Sequence, residues 1–93
     1  MSTDIRGARF YDGHRQDRGL ATVVVRRQSA MGRLIVLDVM TNEPALRSFL
    51  RALDKAPLHV QQAGDGGVTF RFSWASGYEN GEMVRVQGVL QDG

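Results

Sequence analysis

This sequence predicts an α+β domain: an antiparallel β-sheet of about five to six strands with one α-helix packed on one face. Three observations carry that reading. Runs of strand length rich in β-branched residues recur between turn residues. A single segment has helical spacing, with Leu46, Phe49, Leu50 and Leu53 at i, i+3, i+4 and i+7. Residues 68–75 alternate, with Val68, Phe70, Phe72 and Trp74 on one face and Thr69, Arg71 and Ser73 on the other, as in a sheet with one wet side.

The elements follow in the order β-β-β-α-β-β-β. Residues 5–11 read as the first strand, ended by Asp12-Gly13, a two-residue hairpin signal. Residues 14–19 are polar and fit either a loop or a returning strand, so 1–19 is a hairpin or a partly flexible basic segment. Thr22, Val23, Val24 and Val25 mark a strand over 20–28, and Ser29-Ala30-Met31-Gly32 a turn. The strand at 33–40 is apolar on both faces, which places it centrally.

In the helix, Thr41 or Asn42 serves as cap, Glu43 lies by the positive end of the dipole, and Pro44 is tolerated in the first turn. Pro57 stops it near Ala56. Residues 58–63 read as a strand and Gly64-Asp65-Gly66-Gly67 as a hairpin turn. Residues 76–82 read as a loop carrying Tyr78. Residues 83–90 form the last strand, with Arg85 and Gln87 outward.

Ninety-three residues suffice for one modest core, and 1–93 reads as a single domain. No apolar stretch approaches a membrane span, mean hydropathy is −0.28, and the N-terminus lacks a secretory signal. Cysteine is absent, which favours a reducing compartment and a cytoplasmic location and removes thiolate chemistry. Ten basic residues face six acidic ones over 1–55, a net of +4, whereas 56–93 carries two against four, a net of −2. Eleven of the twelve basic residues are arginine, which suits phosphate or carboxylate contacts and stacking on rings.

Catalytic and metal constellations are not apparent, so no enzyme activity, cofactor or metal is expected. His14 neighbours Asp12 and Asp17 in a turn, and His59 lies on the polar side of a strand. The serines lack a G-x-S-x-G surround. Asp38, the one carboxylate inside an apolar strand, is read as raised in pKa by burial or as an aid in capping the helix. The glycine-rich turn leads into a strand and not into the helix N-terminus that a phosphate loop needs.

Three features suit recognition. The N-terminal segment interleaves Arg6, Arg9, Arg15 and Arg18 with Phe10, Tyr11 and His14. A polar sheet face would join His59, Gln61, Thr69, Arg71, Ser73, Arg85 and Gln87, although its aromatics fall on the covered side. The helix carries Arg47, Arg51 and Lys55 at i, i+4 and i+8, and Arg26-Arg27 and Arg33 flank the turn at 29–32. One of Arg26 and Arg27 must reach water at a strand end or meet an acidic partner.

The function expected is that of a small non-enzymatic module acting through protein–protein contact. Its partner would be a protein or nucleoprotein complex with an acidic surface. Its general character resembles the phage- or plasmid-borne inhibitors and regulators of bacterial complexes. Arginine and tyrosine, including Tyr78, are the expected anchors. The alternative is a small basic nucleic-acid-binding domain, and a homodimer through uncovered sheet edges is a third reading.

Overall fold

Six strands and one helix form among the described residues: β1 (Thr3–Tyr11), β2 (Asp17–Gln28), β3 (Leu34–Met40), α1 (Pro44–Arg51), β4 (Ala56–Gln62), β5 (Thr69–Asn80) and β6 (Met83–Leu90). They belong to a computed structural model that describes residues 3–28, 33–62 and 69–91. The turns expected at 29–32 and 64–67, and Val68, lie outside the described residues.

Every neighbouring pair of strands is antiparallel, and the order β1-β2-β3-β6-β5-β4 closes on itself as a barrel. The antiparallel, β-rich character with one helix matches the sequence reading, but the open sheet does not. The closure comes from β4, which returns along β1 with Ala8 opposite Gln62 and Tyr11 opposite His59. The face expected to lie under a helix is instead the barrel interior, where Phe10, Leu37, Val39, Val60, Val84 and Val86 are buried.

The helix sits over one end of the barrel. Leu46 packs toward Gly19 at the start of β2, and the Leu50 carbonyl lies where a Cβ on Gly77 of β5 would go. Any larger residue at Gly77 would push the helix off its seat. Arg47 adds two bonds, donating from Nη1 to the Thr41 carbonyl (3.1 Å) and to the Glu82 carbonyl (2.7 Å) in the β5–β6 turn.

The helix is also shorter than its apolar stripe implies. It ends at Arg51, with Ala52 as C-cap; Leu53 is buried beyond it, its carbonyl accepting from the Gly77 amide at 3.1 Å. Lys55, at φ 52°, has left the helical path, so the i, i+4, i+8 basic stripe is not one face. At the start, Glu43 occupies the N-cap position, and Thr41 Oγ1 accepts its amide at 3.1 Å.

Three further departures position the surfaces discussed below. The β1–β2 connection is not a two-residue turn. Asp12 Oδ1 accepts the amides of His14 (2.8 Å) and Gln16 (3.0 Å), which widens the loop and sets Arg15 in the left-handed region at φ 62°. The segment expected as a loop around Tyr78 is the second half of β5, paired with β6 from Trp74 to Asn80. Finally, a register shift between Phe72 and Trp74 reverses the alternation: Phe72 and Ala75 are buried, and Trp74 stands opposite Val89 on the outer wall.

Candidate functional site

The outer wall of β2, β3, β6 and β5 carries the most organised polar group. Asp38 lies opposite Val24 of β2 and opposite Arg85 of β6. Its strand neighbours Leu37 and Val39 fill the barrel, so the period of the strand turns Asp38 outward. It is nonetheless 0% exposed. Arg26 donates from Nε to Oδ2 at 2.8 Å, while Arg85 donates from Nε to Oδ1 at 2.8 Å and from Nη2 to Oδ2 at 3.1 Å. The two guanidinium groups roof the carboxylate while their own side chains stay 46% and 29% exposed.

This arrangement corrects the expectation for Asp38. The hydrogen bond from Arg85 and then that from Arg26 hold its pKa below the ordinary carboxylate value, outweighing the burial that would raise it. Arg85 is raised in turn, first by the bond to Asp38. Asp38 takes no part in capping the helix; it fixes two arginines. Tyr78 stands directly opposite Arg85 across β5 and β6. Arg26, Val36, Tyr78, Arg85 and Gln87 line a depression of about 450 Å³. Beside it the outer face of β3 is apolar: Val36 is half-buried, and Leu34 and Met40 are exposed. The strand is central, as expected, but only its inward face is covered by the barrel.

A second cleft lies on the wall of β1, β4 and β5. Tyr11, His59 and Arg71 form a row across the three strands, with Tyr11 opposite His59 and His59 opposite Arg71. The Tyr11 and His59 rings are 5.9 Å apart and tilted by 50°. Arg15 and Gln61 complete the rim of a space of about 490 Å³. Burial, followed by the charges of Arg71 and Arg15, lowers the His59 pKa.

The remaining arginines divide by their partners. Arg9 pairs with Asp17, and Arg18 pairs with Asp12 at 3.6 Å while stacking over Phe49 at 4.6 Å. Arg47 and Arg51 share Glu79, at 3.5 and 3.1 Å, so the helix stripe serves the fold. Arg6 is exposed on β1. Arg27 lies opposite Val36, and its side chain is outside the described residues. Phe10, a contact residue by the sequence reading, is fully buried in the core, where no partner can reach it.

The polar face expected to run unbroken over β4, β5 and β6 is split by the β5 bulge. His59 and Arg71 belong to one cleft, Arg85 and Gln87 to the other. The objection that aromatics fall only on a covered side fails as well, because Tyr11, Trp74 and Tyr78 all stand on the outer walls. The carboxylates near His14 are occupied: Asp12 holds its own loop, and Asp17 bonds the Gly19 amide at 2.9 Å and pairs with Arg9. Among the described residues no helix is long and apolar enough to cross a membrane.

In the sequence Asp38 reads as an acid–base carboxylate or as an aid in capping the helix, and His59 as a surface residue. The signal for Asp38 was a lone carboxylate in an apolar run with arginines on other strands. Its use required the register of β2, β3 and β6.

Comparison with protein-family models, with curated proteins and with solved structures found no match to this chain. The fold and these two surfaces therefore carry the functional argument.

Proposed function

We propose that the chain is a non-enzymatic binding module that docks an acidic protein surface on the β2-β3-β6-β5 wall. The observation that carries this reading is the complete burial of Asp38 beneath Arg26 and Arg85 beside the exposed Tyr78. A carboxylate on the outside of a barrel has water freely available; roofing it with two arginines holds both guanidinium groups in set positions. Side chains ordered in advance lose less entropy on binding, and arginine and tyrosine are the residues that most often anchor interfaces.

Two arginines on one carboxylate leave a local net charge of +1, which favours an acidic partner. The apolar outer face of β3, with Met40 exposed at its end, supplies contact area next to that charge. Acting in this way, the module would inhibit or regulate a larger protein or nucleoprotein assembly by occupying its surface. Among the described residues the closed barrel leaves no whole strand with a free edge, so docking through side chains is favoured over strand-to-strand pairing of two copies.

Affinity capture from host lysate with the unmodified chain, Tyr78→Ala and Met40→Asp tests the reading, with Lys55→Gln as control. A partner held by the unmodified chain and the control, and lost from the two wall variants, supports it. Equal recovery by all four chains would place the contact elsewhere.

A further inference from the structure

The cleft between Tyr11, His59 and Arg71 has a different chemistry from the Asp38 wall. There, each arginine is neutralised in part by a carboxylate. Here, the guanidinium groups of Arg15 and Arg71 make no ion pair or hydrogen bond among the described residues, yet both residues border the same space of about 490 Å³. Asp12 also lines it, but its Oδ1 accepts two loop amides and its Oδ2 faces Arg18 at 3.6 Å. The cleft thus brings together two guanidinium groups without a partner among the described residues and the Tyr11–His59 ring pair.

That placement is built by the fold. The Asp12-anchored loop holds Arg15 in a left-handed conformation that a non-glycine residue adopts rarely. The ladder fixes Arg71 opposite His59, and His59 opposite Tyr11. His59 lines the cleft, and its Nε2 is buried with no hydrogen-bond partner among the described residues, an unmet polar capacity just behind the cleft surface. Gln61 adds an amide, able to donate and accept, at the rim. A space of this size is in the range of small-molecule sites.

We infer that this cleft binds a nucleotide unit, its phosphate between Arg15 and Arg71 and its base against the Tyr11–His59 wall. Planar guanidinium forks match phosphate oxygens, and an aromatic wall accepts any base by stacking. A free mononucleotide and one unit of a single strand present this same chemistry. The assignment does not rest on the protein-docking wall: the two surfaces share β5 alone, Arg71 of its first half facing the cleft and Tyr78 of its second half the wall.

Nuclear magnetic resonance of the full chain tests it, following the His59 and Tyr11 ring signals during titration with adenosine monophosphate, inorganic phosphate, adenosine and a six-residue oligoadenylate. The nucleotide should move both rings with saturation. Arg15→Gln and Arg71→Gln should each weaken it by about tenfold, and Tyr11→Leu should weaken the nucleotide but not phosphate. Neither guanidinium has a partner among the described residues to lose, so those variants should fold, and Arg51→Gln should bind as the unmodified chain does. Tighter binding of the oligoadenylate than of the monophosphate supports a strand as ligand, and the reverse supports a free nucleotide. The inference is overturned by still rings at about 10 mM nucleotide, by undiminished binding in the double arginine variant, or by phosphate binding as tightly as the nucleotide.

Discussion

Asp38 on β3 and Arg85 on β6 occupy opposed positions of one antiparallel pair, and each oxygen of the carboxylate receives a guanidinium N–H, at 2.8 and 3.1 Å. Arg26 completes the bracket from the other side. A two-pronged contact of this kind is charge-assisted and directional, so it orders both arginines as well as attracting them.

Removing the charge at the centre should therefore loosen the wall. Asp38→Asn is expected to lower unfolding free energy by about 2 kcal/mol, the scale of losing hydrogen bonds to a charged group. Urea denaturation measures the effect, and a change below about 0.5 kcal/mol would mean that the bracket adds little to stability.

The acid dependence of stability follows from the same pair. The folded pKa of Asp38 is lowered from 3.8, first by the bond from Arg85, so the unfolded chain binds its proton more readily. Its contribution is complete above the unfolded value and is lost as pH falls from about 4 through the folded one. Denaturation midpoints measured from pH 5 to pH 2 should fall less steeply in Asp38→Asn than in the unmodified chain.

His59 should act at higher pH. Burial, Arg71 and Arg15 lower its pKa from 6.5, which favours the neutral ring in the fold. Stability from this group is full above the unfolded value and is lost as pH falls from about 6.5 toward the folded one. His59→Gln should remove that slope, and unchanged slopes in the two chains would show that the ring is solvated as freely folded as unfolded.

Gly77 is where backbone meets backbone, since a Cβ there would meet the Leu50 carbonyl. Gly77→Ala should cost about 1–3 kcal/mol by forcing the helix away from the barrel end. Thermal unfolding would register this as a fall of several degrees; a neutral result would mean that the helix can shift without loss.

The helix should be held by its apolar side and not by its ion pairs. Leu50→Ala, at a fully buried site, is expected to destabilise by about 2–5 kcal/mol. Arg51→Gln, which removes an exposed pair with Glu79, should change stability by less than about 1 kcal/mol. Comparable losses in the two would overturn this assignment.

Local signals determined a good part of the molecule. The β-branched run before Arg26, the Leu46–Leu50 spacing and the apolar stretch around Leu37 led to the antiparallel, β-rich chain with one helix, because backbone preference and side-chain period act within a few residues. Arg26, Tyr78 and Arg85 were also legible as candidates from residue type alone. What tertiary structure decided was pairing: β4 returning to β1, the bulge that turned Trp74 outward, and the meeting of Asp38 with Arg26 and Arg85. The candidate surfaces depend on those pairings for a physical reason. A one-residue change of register moves every side chain of a strand to the opposite face, and register is set between distant segments, where no local pattern records it.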